Sequence, residues 1–118
     1  MASTISKEHE IKHFEPVINL LKEFKSNKRY NLLDCGASER GLKKHLPKNI
    51  RYLSLDHSGR QDYLFNLDEI KNKKIPIEDN SFDIIVCLET LEHVLYPREV
   101  VKDLIRIGKK ETLFIFSI

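Results

Sequence analysis

Asn31–Gly41 reads Asn-Leu-Leu-Asp-Cys-Gly-Ala-Ser-Glu-Arg-Gly, an apolar run that meets an aspartate, a glycine and then small polar residues. This pattern is typical of a buried β-strand that turns sharply into the N-terminus of a helix. Such a turn directs backbone N–H groups toward whatever lies beyond the strand end. We therefore expect a ligand site above this turn and an α/β sheet built outward from the strand.

Further apolar segments predict four more strands. The most strand-like segment contains Ile84, Ile85 and Val86, which are consecutive and β-branched, as in a strand buried on both faces of a parallel sheet. Strands alternate with helical segments, which indicates a doubly wound parallel sheet between two helical layers, an α/β/α fold. The predicted strands are Tyr30–Asp34, Arg51–Leu55, Asp62–Phe65, Phe82–Leu88 and Thr112–Ile118.

Three segments have the spacing or the boundaries of helices. Apolar residues recur at helical intervals within the first 26 residues, where Pro16 predicts a break or a helix start just before it. Glu39–Leu46 is predicted as a short helix and Pro97–Ile107 as an amphipathic one. Glu89–Val94 is predicted as a loop or a short helix.

Composition describes one ordinary globular domain with no sign of a membrane or secreted location. The 118 residues carry a formal net charge of only +2, which does not by itself indicate nucleic acid. No apolar run approaches the ~20 residues that cross a bilayer, and the N-terminus lacks a secretory signal. Cys35 and Cys87 lack the spacing of a metal site, so we expect no metal and a reduced, cytoplasmic protein.

Polar side chains gather where the predicted strands end. Asp34, Asp56, Asn66 and Glu89 each close a strand or follow one directly. Ligands of doubly wound sheets bind beyond the carboxyl ends of the strands. These four residues therefore indicate the binding site.

Three motifs resemble those of class I S-adenosylmethionine-dependent methyltransferases of the small, type-11-like group. Leu32–Ser38 resembles the glycine-rich first motif, and Tyr52–Asp56 resembles the second, which ends on an acidic residue. Ile75–Cys87 followed by Leu91–Val94 is the closest match. The resemblance implies a Rossmann-like sheet with strand order 3-2-1-4-5, truncated after the fifth strand. It also implies one domain over 1–118, in which a helical segment (1–28) precedes a cofactor-binding core (29–118).

The resemblance further implies an enzyme that transfers a methyl group from S-adenosylmethionine to an acceptor and releases S-adenosylhomocysteine. Gly36 would admit the methionine part of the cofactor, with Asp34 holding the turn or, through water, the ammonium group. Asp56 would accept hydrogen bonds from both ribose hydroxyls, and His57 would lie along the adenine face. The residues that complete this side of the implied site are Cys35, Ala37 and Ser38.

The other side of the implied site follows the third and fourth strands. Asn66 stands where the family usually has an acidic residue for the adenine amino group, and its amide oxygen can accept the same bond. Leu67 would donate a backbone N–H to the ring. His93 is the candidate catalytic base, although methyl transfer depends mostly on alignment and a dry pocket. The residues expected beneath the sulfonium are Cys87, Leu88 and Glu89.

Two other functions stay open. Ser38 and Arg40 stand where glycines are common in the family, and Arg40 is long enough to narrow the site. Gly36 and Asp56, twenty residues apart, also fit a variant of the NAD-binding fingerprint of oxidoreductases. Ser38 in place of the middle glycine counts against a bound pyrophosphate. The remaining alternative is a nucleotide-binding or interaction module of the same fold without turnover.

The last predicted strand, Thr112–Ile118, has no later segment to cover its apolar edge. Uncovered strand edges pair with other strands. We therefore expect either a truncated chain or a second copy or partner chain docked at this strand. The acceptor stays open among small molecules, RNA and protein.

Overall fold

The computed structural model describes the backbone of residues 7–117 and the side chains of residues 12–117. Five parallel strands form one sheet in the order β3-β2-β1-β4-β5, which confirms the predicted Rossmann-like arrangement. Within the described residues, no helix is both long and apolar enough to cross a membrane. The strands are β1 (Tyr30–Cys35), β2 (Ile50–Asp56), β3 (Tyr63–Leu64), β4 (Phe82–Leu88) and β5 (Gly108–Ser117).

The described residues also form two α-helices and three 3₁₀ turns, of which the first helix precedes the first strand. The α-helices are α1 (Lys7–Leu21) and α2 (Pro97–Ile107), and the 3₁₀ turns are Gly41–His45, Leu67–Glu69 and Leu91–His93. The predicted bounds of β4 and α2 agree with the structure to the residue. Proline opens α2 at a position where its missing N–H costs no hydrogen bond.

Side chains of the strands alternate between two apolar cores, one on each face of the sheet. Leu32 and Ile84 face one layer, where they pack with Val17 and Leu21 of α1. The neighbouring residues face the other layer, as the two-residue period of a strand requires. That second core includes Leu33, Ile85, Val100, Leu104 and Ile107, all fully buried. The predicted three layers are thus confirmed.

Two predictions about helices are wrong. Pro16 lies inside α1 and neither breaks nor starts it. The helix loses one N–H bond there, to the carbonyl of Lys12, but both residues are exposed to water, while Val17 and Leu21 anchor the helix on the sheet. The predicted helix Glu39–Leu46 is only the 3₁₀ turn Gly41–His45, because Arg40 has a left-handed backbone with φ of 62°.

β5 begins four residues earlier than predicted. Its first residue, Gly108, pairs with Phe82, whereas Leu113 pairs with Ile84, so the strand bulges between these two pairs. Because the residues in the bulge are polar, the apolar pattern of the sequence did not predict that they belong to the strand. The hydroxyl of Thr112 lies 2.7 Å from the carbonyl oxygens of both Phe82 and Lys109 and closes the bulge.

Candidate functional site

A cavity of about 290 Å³ opens at the carboxyl ends of β1 to β4. Parallel strands bring these ends to one edge of the sheet, where ligands of such folds bind. Seven of the sequence-predicted site residues line it: Gly36, Asp56, His57, Asn66, Leu67, Glu89 and His93. Four further lining residues were missed by sequence reasoning: Phe65, Asp68, Thr90 and Val94.

The turn after β1 does not present its N–H groups to the cavity, contrary to the expectation from the sequence. The N–H groups of Gly36 and Ala37 donate to the carbonyl of Leu55, at 2.8 and 3.2 Å. The N–H of Ser38 donates to Oδ2 of Asp56 at 2.8 Å. These bonds fasten the turn to β2. Because the three N–H groups are already bonded, a ligand in the cavity would contact other groups of the turn.

Gly36 is required by packing as well as by backbone geometry. Its φ is +78°, a conformation that residues with a Cβ rarely adopt. A Cβ added there would lie 2.1 Å from Oγ1 of Thr90. Thr90 lies in the loop after β4. Its side chain occupies the space that a side chain at position 36 would need.

Asp56 is a preoriented carboxylate at the cavity wall. Oδ1 accepts the N–H of His57 at 2.7 Å, while Oδ2 accepts the N–H of Ser38. The side chain is 19% exposed, so it is held yet open to a ligand. A carboxylate accepts about four hydrogen bonds, and both oxygens therefore keep acceptor capacity for hydroxyl groups.

Asp34 lies beneath the turn and outside the cavity lining, on the α1 side of the sheet. It is 6% exposed, and Oδ2 accepts a hydrogen bond of 2.5 Å from the hydroxyl of Tyr52. Burial raises the pKa of Asp34 to about 6, although the Tyr52 hydrogen bond opposes this rise. Burial and the neighbouring Asp34 raise the pKa of Tyr52, so its hydroxyl stays a donor.

Arg40 points away from the cavity and does not narrow it. Its guanidinium lies 5.5 Å from the ring centroid of Tyr52, and Nη2 is 3.4 Å from Oδ2 of Asp62. Gln61 donates to the carbonyl of Ser38 at 2.8 Å. Arg40 and Gln61 thus tie the turn after β1 to the loop after β2.

The wall that follows β3 is built around a capped 3₁₀ turn. Oδ1 of Asn66 accepts the N–H of Asp68 at 3.0 Å, so the amide oxygen caps the turn and the amide nitrogen is left as the donor. Leu67 is buried. Oδ1 of Asp68 accepts the N–H of Leu95 at 2.9 Å and fastens the loop after β4. An aspartate in the first turn, such as Asp68, is an ordinary capping signal in a sequence. Its hydrogen bond to Leu95 joins residues far apart in the chain, so the sequence alone does not predict it.

The wall after β4 is held in an unusual backbone conformation. Glu89 has φ of +47°, and its N–H lies 3.1 Å from the carbonyl and 3.0 Å from the hydroxyl of Ser117. Its exposed side chain and that of His93 face the cavity. A left-handed non-glycine residue at a cavity wall is typical of functional sites.

Several predicted residues lie beside the cavity without lining it. Cys35 and Cys87 are fully buried in the core on the α2 side, where the hydrogen bond with the Cys87 thiol, and then burial, raise the pKa of Cys35. Their thiols are therefore typical of structural cysteines. The other residues outside the lining are Asp34, Ala37, Ser38 and Leu88.

The charge of the cavity suits a cation. Asp56, Asp68 and Glu89 line it, and over the described part of the chain no lysine or arginine does. Acidic and histidine side chains within residues 12–117 form no group of three or more that could hold a metal ion. These carboxylates, which accept hydrogen bonds, fit an organic ligand with a positive charge and hydroxyl groups.

Comparisons with known proteins agree with this geometry. Residues 33–116 match the methyltransferase domain family. An uncharacterized protein of Methanocaldococcus jannaschii is 37% identical over 87 residues, which cover 70% of this chain and 38% of that protein.

Several solved structures share the fold, and two of them illustrate the likeness. Coclaurine N-methyltransferase bound to N-methylheliamine and S-adenosylhomocysteine superposes with a TM-score of 0.72 at 18% identity, covering 98% of this chain and 37% of that one. The protein in complex with the Haloferax volcanii Trm112 methyltransferase activator superposes with a TM-score of 0.61 at 19% identity, covering 92% and 53%. The chain thus spans between 37% and 53% of the length of these three proteins.

Proposed function

Because the chain belongs to the methyltransferase domain family, we propose that it binds S-adenosylmethionine and transfers the methyl group to an acceptor not yet identified. S-adenosylhomocysteine would be the product. The chain would act as a single domain over 1–118, with the helical segment 1–28 ahead of a cofactor-binding core, 29–118.

The preoriented carboxylate of Asp56 is the observation that carries this proposal. Two backbone N–H groups hold it at the end of β2, and its free acceptor capacity faces the cavity. Two adjacent ribose hydroxyls can donate to one carboxylate in a bidentate manner. Because the carboxylate is already fixed, little conformational entropy is lost when a ribose binds.

The remaining cavity residues accommodate the other parts of the cofactor. The side chain of His57 would lie along the adenine face, with Asn66 and the backbone of Leu67 at the ring edge. The amide oxygen of Asn66 accepts one hydrogen bond as the cap of the turn, and its second lone pair would accept the adenine amino group. Gly36 would approach the methionine part, and Glu89 would attract the positive charge of the ammonium or sulfonium group.

The predicted site residues that do not line the cavity would instead support the loops that form its wall. Asp34 and Ser38 would hold the turn after β1, Asp34 through Tyr52 and Ser38 through Asp56. The backbone of the other four residues continues from the strands into that wall. They are Cys35, Ala37, Cys87 and Leu88.

Bound S-adenosylmethionine would supply a methyl group that is electrophilic because it is attached to a sulfonium. The protein would align the acceptor with that carbon and exclude water. His93 would take the proton that an acceptor such as a hydroxyl or amine loses. Glu89 and Asp68, on the same walls, disfavour an anionic acceptor group in the cavity.

An NAD-dependent reaction is less compatible with this cavity. The pyrophosphate of NAD would meet three carboxylates with no cationic side chain in the described lining. The N–H groups of Gly36 and Ala37, which could otherwise cradle a phosphate, are bonded to Leu55.

A partner chain or a second copy would dock at β5. Within the described residues this strand pairs on one side only, with β4, and Phe116 on it is 39% exposed. Strand edges of this kind recruit other strands. The Haloferax volcanii protein of the same fold forms a complex with the Trm112 activator, which supports a protein partner for this chain without indicating where it docks. The cytoplasm would be the site of action.

Calorimetric titration with S-adenosylhomocysteine tests the proposal, with NAD run in parallel. We expect S-adenosylhomocysteine to bind, NAD not to bind, and Asp56→Ala to weaken binding by about 10- to 100-fold through loss of charge-assisted hydrogen bonds. Asp79→Ala is the matched control, because its exposed carboxylate contacts Arg106 outside the cavity. Binding of NAD alone, or equal affinities of both variants, would refute the proposal.

A further inference from the structure

The side-chain amide of Gln61 joins the turn after β1 to the loop after β2. Its Nε2 donates to the carbonyl of Ser38 at 2.8 Å and to the carbonyl of Ser58 at 3.0 Å. A glutamine amide group has two N–H donors, so both of them are used. Because both partners are acceptors, a side chain that ends only in acceptor oxygens could not replace this one.

Ser38 connects Gln61 with Asp56 through its two main-chain groups. Its carbonyl accepts the hydrogen bond from Gln61, and its N–H donates to Oδ2 of Asp56 at 2.8 Å. Ser38 has a left-handed backbone, with φ of 51°, which costs free energy in residues other than glycine. Such a conformation persists only where neighbouring contacts hold it. The hydrogen bond from Gln61 is a contact of this kind.

The backbone next to Gln61 is itself fastened to the core. Oδ2 of Asp62 accepts the N–H of Ser54 at 2.8 Å, and the N–H of Asp62 donates to the Ser54 hydroxyl at 3.1 Å. Ser54 is fully buried in β2, two residues before Asp56. The contacts therefore form a closed ring that leaves β2 at Asp56 and returns to it at Ser54.

We infer that Gln61 is a positioning residue that acts through Ser38 and holds Asp56 in the orientation that accepts both ribose hydroxyls. This inference rests on the proposed function. Of the two N–H groups that bind Asp56, that of His57 belongs to the next residue, whereas that of Ser38 comes from another part of the chain. Without Gln61, Ser38 is free to leave its left-handed conformation, and Oδ2 of Asp56 loses its donor. A ligand would then have to order the carboxylate on binding, which lowers its affinity.

The inference predicts that Gln61 affects the discrimination between two nucleosides. 2′-Deoxyadenosine lacks one of the two hydroxyls that Asp56 would bind, so the wild type should bind adenosine about 10- to 100-fold more tightly. Gln61→Met keeps a long side chain without N–H donors. In this variant the ratio of the two affinities should fall about three- to tenfold, the range that one net hydrogen bond converts to. A merely structural role would weaken both nucleosides equally and leave the ratio unchanged.

Calorimetric titration with both nucleosides tests this, together with hydrogen exchange of the Ser38 amide. Asn49→Ala is the matched control, because Nδ2 of Asn49 also donates to a backbone carbonyl, that of Lys25 at 2.9 Å, away from the cavity lining. We expect Asn49→Ala to keep the wild-type ratio, and the Ser38 amide to exchange faster only in Gln61→Met.

Two kinds of failure can be told apart. An unchanged ratio, or unchanged exchange of the Ser38 amide, in folded Gln61→Met would overturn the role of Gln61 alone. If the wild type bound neither adenosine nor S-adenosylhomocysteine, the proposed function would fail, and the role of Gln61 with it.

Discussion

The hydroxyl of Tyr52 lies 2.5 Å from Oδ2 of Asp34, and both residues are buried. Tyr52 comes from β2 and Asp34 from β1, so the bond joins neighbouring strands directly beneath the glycine turn. Arg40 lies over the Tyr52 ring and extends the contact to the turn itself. A buried carboxyl group thus supports the residues that border the cavity.

This carboxyl should make stability depend on pH. Burial raises the pKa of Asp34 to about 6, above the ordinary value of 3.8. The folded protein therefore holds this proton more tightly than the unfolded chain, and the resulting stability is full below pH ~4 and lost as pH rises through about 6. The stability of Asp34→Asn relative to the wild type should therefore be higher at pH 7.5 than at pH 4.5, by about 2 kcal/mol. Urea unfolding at both pH values measures this.

Tyr52→Phe provides the control. Phenylalanine has no hydroxyl to donate to Asp34, and this hydrogen bond lowers the pKa of Asp34 in the wild type. The pKa of Asp34 should therefore be higher in Tyr52→Phe, and the pH at which stability is lost should rise with it. Parallel pH profiles for the wild type and Asp34→Asn would show that Asp34 does not titrate in this range.

The contrast between β4 and the loop after it shows what the sequence could predict. The bounds of β4 and α2 were readable because consecutive β-branched residues and an N-terminal proline act locally. The contacts of Thr90 with Gly36 and of Asp68 with Leu95 join segments far apart in the chain. No local pattern encodes them, and they emerge only when parallel strands bring several loops to one edge. For the same reason, Asp56 was readable as a strand-end acid, but the N–H of Ser38 that holds it was not.

Gly36→Ala should destabilise the protein by about 2 kcal/mol or more. The new Cβ would clash with Thr90, and alanine would be strained at φ of +78°. Urea unfolding of Gly36→Ala, Thr90→Ala and the double variant forms a double-mutant cycle. The double variant should recover the part due to the clash but not the backbone strain. Strict additivity would show that the two residues do not contact each other.

Arg106→Lys should destabilise the protein by about 2–3 kcal/mol, although the charge is kept. The guanidinium donates to Asp103, to Asp79 and to the carbonyls of Ile75 and Ile77, and it so fixes the segment before β4 onto α2. Lysine has too few donors and the wrong shape to replace these bonds. Arg98→Lys, at an exposed position on the same helix, is the control. Equal melting temperatures of the two variants would contradict the role of Arg106.

Asp68 should affect ligand binding by two separable routes. Its Oδ1 accepts the N–H of Leu95 and fastens the loop that carries Thr90, and its charge contributes to the acidic lining. Asp68→Asn keeps an oxygen acceptor and loses the charge, whereas Asp68→Ala loses both.

We expect Asp68→Ala to bind S-adenosylhomocysteine about 10-fold more weakly than the wild type, with Asp68→Asn between the two. Glu69→Ala is the matched control, because Glu69 lies on the same 3₁₀ turn but pairs with the exposed Lys73. Hydrogen exchange of the Leu95 amide distinguishes the routes, since it should accelerate in Asp68→Ala and stay slow in Asp68→Asn. Equal exchange in both variants would show that the carboxylate does not hold the loop, and any loss of affinity would then reflect charge alone.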